Sequence, residues 1–305
     1  MQVVESLKDL VKPPFANYDV VVYFGGGLFA IPFLAHYLLV PLQIGWPKFS
    51  VDTGSVITNE VVSGLTLLFS IYILGHFLAY IGSQLVEKAI DRFLGKISTA
   101  ILISSMATSA NRNSAIRAVI YNKIKSISRD KAIFPSVVRV IFHLPVIIIY
   151  MLVFTLGIFG YYNTRVTPEV IAAARRDISK LNLDGLTLKL QSPWFKPLEY
   201  YVINRDGLAT ARMYNYLVIG GLFRSLCVIF MGALWLHIYY IIHYFCDGDW
   251  RLPGSSGAWS AFFQYAFLSA LYIFSLFSYL KFQRRYCEEA IFAFVFEKPA
   301  SSTHP

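Results

Sequence analysis

The chain has 305 residues, of which 56% are hydrophobic and only 15% charged, whereas about a quarter of the residues of a soluble domain are charged. Its 27 basic and 18 acidic residues give a formal net charge of +9 and lie in blocks between long apolar runs, which excludes an ordinary soluble domain. Three widely spaced cysteines indicate no disulfide framework, and the basic excess is weak evidence for nucleic acid, because membrane proteins collect such charge beside anionic headgroups.

Apolar runs of eighteen or more residues have the length of a bilayer-spanning helix, and four or five are present. We therefore predict an all-α, polytopic helical membrane protein with four to five transmembrane helices and amphipathic cytoplasmic helices. The predicted segments are an N-terminal interfacial segment (1–19), a transmembrane hairpin (20–86), a basic cytoplasmic segment (87–139), an apolar segment (140–162), an amphipathic connecting segment (163–212), a second transmembrane hairpin (213–282) and a basic helical tail (283–305).

The first hairpin combines an irregular run with a run that carries polar side chains. Residues 25–27 are all glycine, and Pro32 and Pro41 follow, so this helix would loosen unless its neighbours satisfy the freed backbone groups. In the second run a polar row recurs at helical spacing beside a row of small residues that permits close helix approach. We interpret the polar row either as helix-packing hydrogen bonds or as the wall of a cavity or conduction path. The polar row is Tyr72, His76, Tyr80, Ser83 and Glu87, and the small row is Gly75, Ala79 and Gly82.

Segment 87–139 carries ten basic residues against three acidic ones, so the positive-inside rule predicts that it is cytoplasmic. Within it, residues 115–128 place isoleucines on one side of a helix and basic residues elsewhere. That pattern suits an interfacial helix against anionic lipid, or a surface for a cytoplasmic protein partner. The basic residues of this predicted surface are Arg112, Arg117, Lys123, Lys125 and Arg129.

The third apolar run, 140–162, is long enough to span, but Pro145 lies near its start and Gly157 and Gly160 near its end. Two alternatives stay open. If it crosses the membrane, the chain makes five crossings, and 163–212 and the tail lie on the opposite side from 87–139. That arrangement conflicts with the positive-inside rule, because all three segments are basic or begin basic. If it re-enters, four crossings keep every strongly basic segment in the cytoplasm, as the positive-inside rule favours.

After this run, Thr167, Pro168 and Glu169 predict the start of a helix. Threonine is a favoured N-cap residue, proline suits the first turn, and an acid there faces the positive end of the helix dipole. The helix would fade near Gly185.

The fourth run, about 214–244, contains Arg224. An arginine in hydrocarbon costs at least about 2.5 kcal/mol on insertion scales unless it snorkels or finds a partner. We interpret Arg224 either as a structural ion pair or as a residue with a ligand, ion or gating role. His143 and His237 complete the intramembrane polar or pore candidates. Close helix approach, within one chain or in a homo-oligomer, is indicated by Gly221, Ser225 and Gly232.

Motifs for catalysis or cofactor binding are not found in the sequence. It contains no H-E-x-x-H, Walker A, G-x-G-x-x-G or G-x-S-x-G pattern. His237 and His243 are six positions apart and therefore lie on different faces of one helix. We predict no catalytic residue, no metal and no cofactor.

Three functions remain after these exclusions. The leading hypothesis is a non-enzymatic, oligomeric integral membrane protein that forms a permeation path or acts as a membrane effector. The first alternative is a membrane-anchored scaffold that binds a protein partner or anionic lipid through its basic cytoplasmic face. The second is a membrane-embedded lipid or redox enzyme, which needs polar residues clustered at one depth. In each case we expect a plasma or inner membrane, contacts with membrane lipids, and cytoplasmic basic segments.

Overall fold

A computed structural model of the protein describes residues 18–39, 56–93, 95–106, 108–129, 133–147, 164–180, 194–205, 207–247 and 257–296. Most of the predicted interfacial segment 1–19 and the later part of the third apolar run, from residue 148, lie outside these residues. Apart from short connections the described residues are helical, and no strand occurs among them. The all-α prediction is confirmed for this part of the chain.

In chain order, the helices of the described residues are α1 (Asp19–Leu39), α2 (Val56–Gly82), α3 (Lys88–Phe93), α4 (Ile97–Ser104), α5 (Ser109–Arg129), α6 (Ile133–His143), α7 (Pro168–Lys180), α8 (Phe195–Arg205), α9 (Gly207–Asp247) and α10 (Ala258–Phe296). Helix α1 contains two π-helical turns, Asp19–Phe24 and Ala35–Leu39. A third π-helical turn, Ser83–Glu87, directly follows α2, and a 3₁₀ turn, Leu144–Val146, follows α6.

Four helical stretches of the described chain are long and apolar enough to cross a bilayer, which takes about 20 residues. They are Asp19–Leu39, Val61–Ser104, Gly207–Cys246 and Ala258–Phe296. The described part of the third apolar run contributes a shorter apolar helix, Pro135–Val146.

The chain forms two compact units. The apolar unit consists of Met1–Glu87, Val137–Leu152 and Gly221–Tyr279, and the basic unit consists of Lys88–Ser136, Val153–Gly220 and Leu280–Pro305. The segments of the basic unit contain 21 of the 27 basic residues but only 10 of the 18 acidic ones. The division into units therefore also separates most of the positive charge from the apolar runs.

In the apolar unit, α1 runs parallel to α9. Val22 lies against Gly221 near the start of this pairing, and the rings of Phe33 and Phe230 meet further along, with centroids 5.3 Å apart. Helix α2 runs antiparallel to α1, because Tyr23 faces Gly75 while the later Gly27 faces the earlier Ile71.

The last helix of the apolar unit, the first part of α10, is antiparallel to α9. The rings of Phe223 and Phe274 lie 6.0 Å apart, and His237 contacts Ala261. These directions bring four positions to one end of the unit. They are Glu87, Val137, Gly221 and Tyr279, which bound the segments of this unit.

Two glycines allow α1 and α2 to approach backbone to backbone. A Cβ atom at Gly75 would lie 1.7 Å from the carbonyl oxygen of Tyr23, and one at Gly27 would lie 1.9 Å from that of Ile71. No side chain fits at such distances. Gly27, the last of the three consecutive glycines, is therefore a packing position, and an alanine at either site would force the helices apart.

Helix α9 is the central element of the apolar unit. Between Ser225 and Leu234 every residue is buried except Leu226, which is half-buried, and Gly232, which is exposed. Close packing of this kind leaves the middle of α9 surrounded by other side chains.

The basic unit has a hydrophobic core of its own. Its members come from α4, the segment before α7, α7, α8, the start of α9 and the end of α10, so stretches far apart in sequence are held together. Burial of these apolar side chains is the main term that stabilises such a unit. The core residues are Ile101, Leu102, Val166, Ile171, Ala174, Ile178, Trp194, Leu198, Val202, Ala209, Met213, Cys287, Ala290, Ile291 and Phe294.

Candidate functional site

Arg224 forms an ion pair with Glu87 inside the apolar unit. Its Nη1 donates to Oε2 of Glu87, which ends the π-helical turn after α2. The Arg224 side chain is only 14% exposed, whereas that of Glu87 is 41% exposed. Glu87 is thus the more exposed partner and Arg224 the more buried one. The nearby carboxylate lowers the free-energy cost of keeping the Arg224 charge among apolar helices.

Gly82 makes room for the Arg224 side chain, because a Cβ atom there would lie 3.0 Å from Cγ of Arg224. A Cβ atom on Gly221 would instead lie 3.0 Å from Cγ2 of Val22 in α1. Nε of Arg224 is buried and has no hydrogen-bond partner among the described residues. Of these two predicted helix-packing residues, Gly82 therefore borders the arginine and Gly221 borders α1.

The same end of the unit holds a second arginine contact. Nε of Arg139, in α6, donates to the backbone carbonyl of Gln84 at 2.8 Å. Gln84 belongs to the same π-helical turn as Glu87. This turn therefore receives one arginine from α9 and another from the start of the third apolar run.

A second polar layer lies further along α9. His237 is thirteen residues beyond Arg224, which is about 20 Å along a helix. Three side chains of α9 donate to backbone carbonyls on three other elements: Trp235 Nε1 to Phe142 at 3.1 Å, His237 Nε2 to Ala261 at 2.9 Å, and the Tyr240 hydroxyl to Tyr37 at 2.7 Å.

Proline and helix ends explain why two of these carbonyls need a side-chain donor. Tyr37 lies in the π-helical turn that ends α1, and Pro41, four positions on, has no N–H with which to pair its carbonyl. Phe142 lies in the last turn of α6, where carbonyls lack intrahelical partners. Pro145, in the 3₁₀ turn that follows, accepts from the Tyr265 hydroxyl. The neighbours thus satisfy the backbone that the prolines leave open.

The two candidate histidines in this part of the unit lie in different surroundings. His237 is fully buried, and its Nδ1 has no hydrogen-bond partner among the described residues. His143 is half-buried, with Nδ1 2.8 Å from the Arg139 carbonyl oxygen. Within the described chain no group of three or more His, Cys, Asp or Glu side chains could hold a metal ion.

The polar row of α2 divides between two environments. Glu87 faces Arg224, whereas His76 and Tyr80 are exposed on the outer surface of the apolar unit, Tyr80 by 65%. Ser83 is half-buried, and its hydroxyl donates to the Tyr80 carbonyl at 2.9 Å. The neighbouring small row is buried, at Gly75, Ala79 and Gly82.

The remaining predicted packing residues are divided in the same way. Ser225 is fully buried, and a Cβ atom on Gly26 would lie 3.4 Å from the Cβ of Ser225. Gly232 is exposed, and no described atom lies within 4 Å of where its Cβ would be.

The predicted lipid or partner surface lies on α5 of the basic unit. Arg117, Tyr121 and Lys125 are exposed and recur every four residues, so they share one face. Arg112 is half-buried, and the side chains of Lys123 and Arg129 lie outside the described part. The opposite side of α5 faces its own unit, because Val119 lies beside Gly95 in the connection between α3 and α4. The apolar side of the helix is therefore turned toward protein.

Two buried carboxylates in the basic unit were not identified from the sequence. Glu288 is 3% exposed, and its Oε1 accepts from the Thr164 hydroxyl at 2.8 Å and the backbone N–H of Arg165 at 3.0 Å. Glu199, also buried, accepts from the Tyr286 hydroxyl and pairs with Lys196 at 2.8 Å. Both sites lie in the hydrophobic core, and helical periodicity alone gives no sign of them.

These arrangements favour structural roles for the charged groups. The carboxylates of Glu87, Glu199 and Glu288 are each engaged by a cation or a hydroxyl, and each joins its own element to another segment of the same unit. No protein-family model, curated protein or solved structure matches the chain.

Proposed function

We propose that the chain is an integral membrane protein with four crossings, formed by α1, α2, the later part of α9 and the first part of α10. The support is the length and apolar character of these helices, their alternating directions, and the large apolar side chains exposed on α2 and α10. On this topology the third apolar run re-enters. The chain belongs to the apolar unit at Ile147 and to the basic unit at Thr164.

The charge distribution supports one orientation. Most basic residues belong to the basic unit, so we place its segments in the cytoplasm of a plasma or inner membrane, as the positive-inside rule favours. The ends of α1 and α9 at Leu39 and Asp247 then face outward.

We infer that the protein is a non-enzymatic, membrane-anchored scaffold, and that the basic unit is its docking surface. The observation that carries this proposal is the shared core, which joins α4, α7, α8 and parts of α9 and α10 into one folded body. Segments that merely connected crossings would not require a common core. On this body α5 presents Arg117, Tyr121 and Lys125 to anionic lipid or to a cytoplasmic partner.

Nanodiscs that contain the full-length protein test the docking surface. Hydrogen exchange in α5 is compared between discs of zwitterionic lipid and discs that also contain anionic phospholipid. Anionic lipid should protect α5 in the wild type, and Arg117→Glu with Lys125→Glu should abolish the protection. Arg176→Glu, on an exposed residue of α7, is the matched control. Protection that persists in the α5 variant contradicts lipid docking at this face, while protection that requires a cytoplasmic extract supports a protein partner.

The oligomeric permeation path or membrane effector is the second candidate, and the exposure of His76 and Tyr80 favours it. Because the middle of α9 is closely packed, a path would run between copies. Ion flux in liposomes, measured for the wild type and Arg224→Ala, tests it. Equal and negligible flux in both would contradict a pore and leave the effector role. The lipid or redox enzyme has no supporting geometry among the described residues.

A further inference from the structure

We propose that the outer face of α2 around His76 binds the same face of a second copy of this chain, with the two His76 rings hydrogen-bonded inside the bilayer. The proposal depends on the membrane insertion inferred above. It extends the oligomer hypothesis by assigning the surface and the residue that form the contact.

His76 lies near the middle of the second apolar run. The second apolar run begins at Val61 and ends before the charged residues that start at Glu87, so His76 lies about 4 Å from its midpoint at 1.5 Å per residue. The hydrocarbon core is about 30 Å thick. A side chain at this depth is too far from either headgroup layer for an imidazole to reach it.

Large apolar side chains surround His76 on the exposed side of α2. Leu65, Phe69, Ile73 and Phe77 are exposed on the same side of α2, as expected for a surface in lipid or against another helix. The His76 ring nitrogens form no hydrogen bond with any described residue, and its ring is exposed. Lipid tails cannot supply a hydrogen bond, so an imidazole here needs a polar partner that the described residues do not provide.

The orientation of the ring is fixed by two tyrosines. Tyr23 stacks on His76 with centroids 3.6 Å apart and an interplanar angle of 21°, and Tyr72 meets it edge-on at 4.5 Å. The stack covers a face of the ring and leaves the nitrogens at its edge. Holding the imidazole in one orientation reduces the entropy lost when a partner binds.

A second copy satisfies the chemistry of this position. Copies in one membrane share an orientation, so a twofold axis along the membrane normal brings identical residues together at one depth. A neutral imidazole has one N–H donor and one nitrogen acceptor, so two such rings can share one N–H···N hydrogen bond. Polar side chains are frequent contacts between transmembrane helices for this reason.

The exposed face of α10 differs from the exposed face of α2. Its exposed residues between 262 and 274 are all apolar, and they include Phe262, Phe263, Phe267 and Phe274. That face can be covered by lipid without loss of a hydrogen bond. The difference between the two faces predicts a subunit contact on α2 and none on α10.

Cysteine crosslinking of the full-length protein in its membrane tests the contact. The background is Cys246→Ser, because Cys246 is exposed while Cys227 and Cys287 are buried. Ile73→Cys, one turn from His76, should form a disulfide dimer with an added copper oxidant. Phe267→Cys, at an equally exposed site on α10, should not. Equal crosslinking at both positions would overturn the proposal, as would a product whose mass shows a different partner chain.

A second substitution tests whether the His76 side chain itself, and not only the closeness of two α2 helices, stabilises the association. His76→Leu should weaken association roughly 3- to 20-fold, the range expected for one interhelical hydrogen bond in a membrane, whereas Phe77→Leu should leave it unchanged. Both residues are exposed. Because His76→Leu also removes the stacking of the ring on Tyr23 and Tyr72, thermal unfolding of each variant is measured alongside association. Association that does not respond to His76→Leu contradicts the proposal. Alkaline carbonate extraction is run in parallel, because release of the wild type would refute membrane insertion rather than the contact.

Discussion

Nη1 of Arg224 donates to the carboxylate of Glu87, although the two residues are 137 positions apart in the chain. The contact joins the end of α2 to the central helix of the apolar unit. Because Arg224 is far more buried than Glu87, the two partners are not equivalent. Loss of the carboxylate leaves a buried cation, whereas loss of the arginine leaves a carboxylate that retains access to solvent.

This asymmetry predicts that Glu87→Gln destabilises the protein more than Arg224→Met does. Removing one partner of a fully buried pair costs about 3–5 kcal/mol, and we expect about 2–3 kcal/mol for Glu87→Gln because the site is partly exposed. Arg224→Met should cost about 1 kcal/mol, since a flexible apolar chain fills much of the same volume. Thermal unfolding in detergent measures both.

The exposed pair between Arg212 and Glu289, 2.9 Å apart, is the control for this prediction. Arg212→Met should change stability by less than about 1 kcal/mol, as for surface ion pairs in general. Arg224→Met combined with Glu87→Gln should be no less stable than Glu87→Gln alone. A Glu87→Gln protein as stable as the wild type would show that Arg224 does not depend on this carboxylate.

Tyr240→Phe should destabilise the apolar unit by about 1–3 kcal/mol, the cost of a buried acceptor left unsatisfied. The Tyr240 hydroxyl is the donor to the Tyr37 carbonyl, and Pro41 cannot replace it because it has no N–H. Tyr239→Phe is the matched control, since Tyr239 is the adjacent residue and is exposed. Equal unfolding temperatures for the two variants would contradict the role assigned to Tyr240.

Glu288→Gln should loosen the start of α7. The carboxylate receives the Thr164 hydroxyl and the Arg165 N–H, and hydrogen bonds to charged groups contribute about 1.5–3 kcal/mol each. We expect faster hydrogen exchange in residues 164–180 and a lower unfolding temperature. Glu289→Gln, at the neighbouring and more exposed carboxylate, should leave exchange in 164–180 unchanged and lower the unfolding temperature less, because it loses only the pair with Arg212. Unaltered exchange in 164–180 would count against Glu288 as the group that holds this segment.

Local signals in the sequence predicted several elements correctly. Long apolar runs identified four long helices, and the Thr167, Pro168 and Glu169 signal placed the start of α7, which begins at Pro168. The Thr167 side chain also hydrogen-bonds to Glu169 and so lowers the pKa of that carboxyl below its ordinary value. These features depend on neighbouring residues, and a sequence displays them directly.

Contacts between distant segments could not be predicted. Arg224 and Glu87 were both identified as polar candidates, but nothing local indicates that they meet. On α2 the polar and small rows lie side by side, and periodicity does not decide which one faces the interior. The backbone contacts of Gly75 and Gly27 decide it, because they draw the small row against α1 and leave His76 and Tyr80 outside.

Native Cys246 provides a test of the four-crossing topology. It lies near the end of α9 and is exposed, whereas Cys227 and Cys287 are buried. With four crossings and cytoplasmic basic segments, Cys246 faces outward, so a membrane-impermeant maleimide should label intact cells or right-side-out vesicles. With five crossings it faces the cytoplasm and reacts only after permeabilisation. Ser114→Cys in a Cys246→Ser background, an exposed position on α5, should show the opposite pattern in the four-crossing protein. Labelling of both sites from the same side would exclude the proposed arrangement, because α5 and the outer end of α9 are then not separated by the membrane.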